Sequence, residues 1–226
     1  MTMSHFTSLF FAKNEVESLY DQLLERFGSP VYNFEKHQFE YIQEGNQITL
    51  RLPIHQQVSN GRLNVENKVR YLMLLVQTSS ASVGVFADEE CLEHKVFTAY
   101  MVRKKQGKSQ IKHLKTKGKS RAGSRIRLAS GIEFFEDINT RLTRHFKENE
   151  FDRIAFSCSK ILLPFLFGSK VPTPFDKKDE RIYKIPKHLH QPTFEVMLGM
   201  QRFLNKAELI FDEKAFPELL EIKDHL

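Results

Sequence analysis

The sequence predicts an α/β protein in which a mixed sheet with flanking helices occupies residues 68–211. A small α+β extension is expected over residues 1–67, and a mostly polar tail over residues 212–226. Three observations support this fold class. Strand-like apolar runs recur at about 12-residue spacing, helices and strands then alternate, and a separate amphipathic helix lies near the start of the chain.

The extension is expected to begin with a helix over residues 14–27. Its apolar residues are three or four positions apart, which places them on one face of a helix, and Gly-Ser-Pro at 28–30 ends the run. The apolar residues of that face are Val16, Leu19, Tyr20, Leu23, Leu24 and Phe27. Short alternating segments between residues 31 and 68 indicate small strands with a turn at Asn60–Gly61.

The main domain opens with three strand-like segments, at residues 71–76, 82–87 and 96–102. The first two are nearly continuous apolar runs, which predicts strands of a meander that are buried on both faces. A long amphipathic helix over residues 120–148 is expected to pack on that sheet. Its apolar positions are Leu128, Ile132, Phe135, Ile138, Leu142 and Phe146.

Helices and strands alternate in the rest of the domain. Strands are predicted at residues 152–158 and 182–185, and helices at residues 160–167 and 193–206. An order of strands followed by alternating helices and strands is typical of a mixed sheet covered by helices.

Basic residues are concentrated in one segment. Between His94 and Ser130 there are 12 Lys and Arg residues and no Asp or Glu. The rest of the chain holds 22 of the 34 basic residues against all 28 acidic ones, so this segment accounts for the whole net charge of +6. A phosphate backbone is the anionic partner that fits such a block best, and a solvated loop without a partner is the alternative. The cations expected to contact RNA are Arg103, Lys104, Lys105, Lys108, Lys112, Lys115, Lys117, Lys119, Arg121, Arg125 and Arg127.

Composition argues against a membrane or secreted protein. No window approaches the roughly 18 apolar residues that a membrane span requires, and the N-terminal segment lacks a basic leader and a small-residue cleavage site. Cys91 and Cys158 are too few and too far apart for a disulfide framework or a zinc ribbon, so we expect two reduced, buried thiols. The predicted location is the cytoplasm.

Common catalytic motifs are absent from the sequence. There is no phosphate-binding P-loop, dinucleotide fingerprint or nucleophile elbow. His188 and His190 lie in a Pro-flanked turn without further ligands at suitable spacing, and the carboxylates at 133, 136 and 137 are expected to form a solvated helix face. We therefore predict no metal site and no cofactor.

One feature of the basic segment indicates chemistry of another kind. Gln106-Gly107-Lys108-Ser109-Gln110 is predicted to lie in a loop between a strand and a helix. A glutamine side chain has no useful pKa, so it would act by positioning a water or hydroxyl group. A neighbouring glycine allows backbone amides to approach a substrate closely, and the flanking cations would neutralise phosphates.

The residues of this segment resemble a known signature. The motif R-K-K-Q-G-x-S-Q at 103–110, with S-x-A-G-S at 120–124, is similar to the release-factor-like domain of the ankyrin-repeat and zinc-finger peptidyl-tRNA hydrolase of ribosome quality control and its bacterial relatives. That family itself resembles the catalytic domain of eukaryotic and archaeal class I release factors, which carry a G-G-Q loop. The resemblance covers residues 68–211. The zinc finger and ankyrin repeats of the eukaryotic member are absent from this sequence, which implies a compact bacterial-type member.

The resemblance implies a fold, a function and roles for particular residues. The fold would be ribonuclease H-like. Gln110 would be the catalytic residue, in a loop shaped by Gly107, Ser109 and Gln106, and the partners would be peptidyl-tRNA, ribosomal RNA and the peptidyl transferase centre of the large subunit. The function would be release or rescue on stalled ribosomes by peptidyl-tRNA hydrolysis, without a small-molecule cofactor.

Two alternatives remain open at this point. Some members of the resembled family cut the tRNA near its CCA end with a ribose hydroxyl as nucleophile, and the sequence does not choose between the two reactions. A noncatalytic factor could also retain the fold and the charge for binding to the ribosome or to tRNA alone.

Overall fold

The computed structural model describes residues 6–64, 69–99 and 119–225, and for residues 119–130 it describes the backbone alone. The chain forms two compact units. The first consists of Met1–Arg70, Ala87–Glu90 and Leu198–Leu226, and the second consists of Tyr71–Phe86 and Cys91–Met197. The mixed α/β class predicted from the sequence is confirmed.

The first unit contains a five-stranded antiparallel sheet with the order β1-β12-β4-β3-β2. Its strands are β1 (Phe6–Phe11), β2 (Val31–Asn33), β3 (Gln38–Gln43), β4 (Asn46–Arg51) and β12 (Ala207–Asp212). A short hairpin of β5 (Gln57–Ser59) and β6 (Arg62–Asn64) accompanies it. The turn of this hairpin is Asn60–Gly61, with φ values of 53° and 74°. Positive φ at both central residues matches the twist of a two-residue hairpin, and the predicted turn is confirmed.

One face of this sheet forms the core of the first unit. Phe39, Leu50 and Leu209 are direct neighbours across β3, β4 and β12, and all three are fully buried. A short 3-10 segment, Lys13–Glu15, leads into helix α1 (Val16–Phe27), whose buried residues Leu19 and Leu23 belong to the same cluster. The predicted N-terminal helix is thus confirmed.

The C-terminal residues also contribute to this core. A 3-10 segment over Pro217–His225 buries Leu219 and Ile222, and Phe216 just before it is 7% exposed. The sequence predicted a mostly polar tail, and three of its apolar side chains, at three-residue spacing, face inward.

The second unit contains a five-stranded mixed sheet with the order β11-β10-β7-β8-β9. Its strands are β7 (Arg70–Gln77), β8 (Ser80–Ala87), β9 (Glu90–Thr98), β10 (Arg153–Cys158) and β11 (Ile182–Lys184). β10 runs parallel to both β7 and β11. β7 and β8 are buried at almost every position, as the continuous apolar runs predicted, whereas the edge strand β9 is mostly exposed or half-buried.

Helices α2 (Lys119–Glu148) and α3 (Leu163–Phe167) pack on the sheet of the second unit. Of helix α4 (Phe194–Leu204), residues 194–197 belong to the second unit and residues 198–204 to the first. The buried Asn139 of α2 donates through Nδ2 to the carbonyls of Leu166 (2.9 Å) and Val171 (2.8 Å). These two hydrogen bonds connect α2 to α3 and to the chain that follows α3. Breaking them would leave two carbonyl groups unpaired, which is costly in the interior of a protein. Within the described residues, no helix combines the length and the apolar character needed to cross a membrane.

The buried face of α2 differs in two positions from the sequence prediction. Phe135, Ile138 and Leu142 lie in the core as predicted, but Ile132 is 45% exposed, and Phe134, which was not predicted, is buried. Leu128 lies where the structure describes the backbone alone.

Candidate functional site

Most of the predicted site lies outside the described residues. Gln110, Gly107, Ser109 and Gln106 fall within residues 100–118, and so do seven of the predicted RNA-binding cations. Those cations are Arg103, Lys104, Lys105, Lys108, Lys112, Lys115 and Lys117. The other four lie in the first turns of helix α2, where the structure gives a helical backbone; they are Lys119, Arg121, Arg125 and Arg127.

The described structure shows what anchors the two ends of this segment. On the N-terminal side, β9 ends at Thr98, and the amide of Ala99 donates to the carbonyl of Ser79 at 2.9 Å. Phe97 and Ala99 both pack against the core of the second unit. The chain therefore leaves the sheet from a fixed position.

On the C-terminal side, helix α2 is anchored by its second half. Phe134, Phe135, Ile138 and Leu142 are buried in the core, each at most 4% exposed. Aromatic and branched side chains of this size remove a large apolar area from water, so this half of the helix is held firmly against the sheet.

One contact joins β9 to the second half of α2, between Glu93 and Arg141. The first turns of the helix, residues 119–130, contain four basic and no acidic residues.

An ion cluster joins the two anchoring elements. The Glu93 carboxylate accepts hydrogen bonds from the guanidinium groups of both Arg141 and Arg144 through the same oxygen. Arg144 also lies 3.8 Å from Glu148 on the next turn of the helix. The hydrogen bond from Arg144 is the main cause that lowers the pKa of Glu93, so this carboxylate is charged at neutral pH.

His145 lies beneath this cluster and is fully buried. Arg141 donates from Nε to His145 Nε2 at 3.0 Å. Because arginine is only a donor, Nε2 carries the lone pair and the neutral ring carries its proton on Nδ1. That proton faces Glu93 Oε2, 3.6 Å from Nδ1. Burial, and secondarily the charge of Arg141, lowers the pKa of His145, which agrees with a neutral imidazole.

The same arrangement argues against a metal ion at this place. Glu93, His145 and Glu148 bring one ligand atom each within 4.8 Å of one another. However, the only nitrogen of His145 that faces the carboxylates is the protonated Nδ1, and two guanidinium groups already occupy one oxygen of Glu93. The cluster is thus a neutralised ionic contact between strand and helix.

Sequence reasoning did not identify this cluster. Arg141, Arg144 and His145 are three and four residues apart, which is the spacing of one helix face and could have been noticed. Glu93 is 48 residues from Arg141, and only the pairing of strand and helix brings them together. Of the carboxylates that were predicted to form a solvated face, Glu133 and Asp137 are exposed and Glu136 is half-buried.

The two cysteines offer no activated nucleophile. Both are free and half-buried, whereas two reduced, buried thiols were predicted from the sequence. Burial raises the pKa of the Cys158 thiol to about 12 and raises that of Cys91 as well. Both side chains are therefore thiols at neutral pH, and a thiol is a weak nucleophile.

Comparison with known proteins identifies the family. The family described as the Bacteroidetes VLRF1 release factor matches residues 71–211, which is more than half of the chain and includes the whole basic segment. The chain belongs to this release-factor family. Its structure is also similar to a solved structure titled "Vms1 mitochondrial localization core", with 13% sequence identity and a TM-score of 0.39, over 90% of this chain and 82% of that chain. The curated proteins gave no match.

Proposed function

We propose that this protein is a ribosome-associated release or rescue factor that hydrolyses peptidyl-tRNA on stalled ribosomes, with Gln110 as the catalytic residue. The observation that carries the proposal is the match to a release-factor family over residues 71–211, a range that contains the G-x-x-Q sequence of Gly107 to Gln110. The resemblance noted from the motif at 103–110 points to the same chemistry.

The reaction is the attack of water on the ester that joins the peptide to the terminal ribose of the tRNA. The water oxygen forms a bond to the carbonyl carbon, and the bond from that carbon to the ribose oxygen breaks. One proton of the water goes to the ribose oxygen and the other to solvent, so the peptide leaves with a carboxylate. Gln110 cannot supply or remove that proton, because an amide does not titrate near neutral pH. Its proposed role is to hold the attacking water by hydrogen bonds within reach of the ester carbonyl carbon.

The basic residues have a separate role in this proposal. The first turns of α2, residues 119–130, contain four cations. Together with the cations of residues 103–117, they would contact ribosomal RNA and the tRNA backbone near the peptidyl transferase centre. Such contacts position the protein on RNA and carry no sequence specificity. No small-molecule cofactor is part of the proposal.

We also propose that the second unit has a ribonuclease H-like fold, within a release-factor domain over residues 68–211. The strand order supports it. Three consecutive strands, β7, β8 and β9, form one half of the sheet, and the parallel strands β10 and β11 extend it from the other side of β7.

Gln110→Ala tests the catalytic role. We expect the single-turnover rate of peptide release on ribosomes carrying labelled peptidyl-tRNA to fall by at least about 100-fold. Binding to the same ribosomes should change less than about twofold, because the cations provide the affinity. Gln47→Ala is the matched control, since Gln47 is exposed on β4 of the first unit. A Gln110→Ala protein that releases peptide at the wild-type rate would contradict a catalytic role for this residue.

A further inference from the structure

We propose that a cleft in the first unit binds a small zwitterion, a free α-amino acid with a polar side chain. The ammonium group of this ligand binds Glu17 and Nε2 of His55, and its carboxylate binds Lys13. The site lies within the first unit alone, so the inference does not depend on the proposed function.

The cleft lies beside the start of helix α1 and has a volume of about 310 Å³. Among the described residues, seven line it. They come from the start of α1 and the segment before it, from the chain between β4 and β5, and from strand β6. Because one water takes up about 30 Å³ of liquid, this volume corresponds to about ten waters, or to a ligand of about ten non-hydrogen atoms.

The lining of the cleft is polar. Small-molecule sites are ordinarily lined by apolar side chains with a few polar groups, whereas Leu63 is the one apolar residue among these seven. Three of the others are the carboxamides Asn14, Gln56 and Asn64. Gln56 donates through Nε2 to the backbone carbonyl of Asn64 at 2.9 Å, which orients its side chain. A lining of this kind favours a strongly polar ligand.

His55 supplies a buried acceptor to this cleft. The residue is 4% exposed and forms part of the cleft wall. Its Nδ1 faces Oδ1 of Asn205 at 3.4 Å, and an amide oxygen only accepts, so Nδ1 holds the proton and Nε2 the lone pair. Within the part of the chain that the structure describes, Nε2 has no hydrogen-bond partner. A buried acceptor without a partner is costly, and a donor bound in the cleft would satisfy it.

Opposite charges line the same cleft. Lys13 and Glu17 are about one helical turn apart, and both are exposed. Neither forms an ion pair within residues 6–64, 69–99 and 119–225. Burial, and after it the charge of Lys13, lowers the pKa of His55. The Lys13 ammonium therefore lies within electrostatic reach of the ring, and the ring keeps its lone pair at neutral pH.

A zwitterion is the ligand that matches this arrangement. An ammonium group has three donors, enough for the Glu17 carboxylate and His55 Nε2 together, and a carboxylate pairs with Lys13. A ligand with a single charge would leave either Lys13 or Glu17 unmatched. A nucleotide fits less well, because its phosphate would add negative charge beside Glu17 in a unit that holds 11 Lys and Arg residues against 17 Asp and Glu residues.

L-glutamine is the probe, because it has both charges, a carboxamide side chain and the size that the cleft volume indicates. Nitrogen-15 NMR of the histidine rings follows its titration into the full-length wild-type protein. We expect the Nε2 signal of His55 to shift and to saturate below about 10 mM ligand, while the signals of the exposed His188 and His190 stay in place. An unmoved His55 signal at that concentration would overturn the proposal.

Two analogues test the two charges of the ligand. N-acetyl-L-glutamine lacks the ammonium group and L-glutaminamide lacks the carboxylate, so each should bind at least about 10-fold more weakly. Equal binding of L-glutaminamide would indicate a site for the amino terminus of a peptide and would overturn the pairing of a carboxylate with Lys13. Tighter binding of adenosine monophosphate than of L-glutamine would overturn the choice of a zwitterion.

Variants at the two charged positions test the assigned contacts. In Glu17→Gln and in Lys13→Gln we expect the affinity for L-glutamine to fall about 3- to 10-fold, a modest loss because both positions are exposed. Glu25→Gln, two turns further along α1 and outside the lining, is the matched control and should bind within about twofold of wild type. Wild-type affinity in both test variants would contradict the proposed contacts.

A third variant tests the buried acceptor. His55→Leu removes Nε2 and should lower the affinity for L-glutamine at least about 10-fold. Thermal denaturation shows whether this variant is folded. If it is not, Glu17→Gln and the wild-type titration decide the test, because Glu17 is exposed and its substitution leaves the core intact. A folded His55→Leu protein that binds L-glutamine as tightly as wild type would overturn the role of His55.

Discussion

His55 and His145 are buried imidazoles whose charge state couples folding to pH. Burial is the largest cause that lowers the pKa of each, with the charge of Lys13 acting on His55 and that of Arg141 on His145. In the unfolded chain both rings would titrate near the ordinary value of 6.5. Below that pH the unfolded state binds more protons than the folded state, so the free energy of unfolding falls as the pH decreases.

Urea denaturation at pH 7.5, 6.5 and 5.5 tests this coupling. We expect the free energy of unfolding to decrease over this range, and His55→Gln/His145→Gln to show a clearly smaller decrease than wild type. His188→Gln, at an exposed position, should keep the wild-type dependence. Equal dependence in the double variant and in wild type would show that these two residues do not carry the effect.

At the scale of single residues, the sequence is informative where function depends on a local motif. Gly107 to Gln110 are adjacent in the chain, so their chemistry could be inferred from residue types and order alone. The contact of Glu93 with Arg141, Arg144 and His145 could not be inferred from the sequence, because it depends on which strand lies against which helix face. That information comes from tertiary packing.

At the scale of elements, Gly84 shows how closely β8 is packed. A Cβ atom at this position would lie 2.7 Å from Met197 Sδ and 2.7 Å from Phe86 Cε2. Gly84→Ala should therefore lower the free energy of unfolding by about 1–3 kcal/mol. Gly199→Ala is the control, because its Cβ would have its nearest neighbour at 4.0 Å and alanine favours a helix interior by about 0.5–1 kcal/mol. Thermal and urea denaturation of both variants measure the difference, and a stabilised Gly84→Ala protein would contradict the packing described.

Elements were predictable where their apolar pattern is strong. Helix α1 and the buried strands β7 and β8 follow directly from spacing and from continuous apolar runs. The third strand of the meander was predicted at residues 96–102, but it begins at Glu90. The reason is that an edge strand carries charged residues such as Glu93 and Lys95, which remove the apolar signal. Strands β1 and β12 were not predicted, although Ala207, Leu209 and Phe211 alternate inward in β12.

At the scale of the whole molecule, the charge distribution separates the basic segment from the rest. Lys104, Lys105 and Lys108 are part of the 12 cations that account for the positive net charge. Changing these three to Gln should weaken ribosome binding and reduce the slope of log affinity against log salt concentration by about 2 to 3. The control is the triple variant Lys36→Gln/Lys177→Gln/Lys214→Gln, which removes the same charge from exposed positions elsewhere. An equal loss of slope in both triple variants would indicate a general charge effect.

The long-range architecture was only partly predictable. The mixed α/β class followed from the order of helices and strands. The pairing of β12 with both β1 and β4 joins residues about 160 to 200 positions apart in the chain. Periodicity reports which face of an element is buried, but it does not report which distant strand completes a sheet.

Product analysis with wild-type protein tests the central claim most directly. Ribosomes or large subunits carrying labelled peptidyl-tRNA are incubated with the protein, and both the peptide and the tRNA 3′ end are examined. The account predicts free peptide together with tRNA that keeps an intact CCA end. A shortened tRNA would show cleavage of the tRNA instead of the ester, and intact peptidyl-tRNA with the protein still bound to ribosomes would show a noncatalytic binding factor. Either result would contradict peptidyl-tRNA hydrolysis by Gln110.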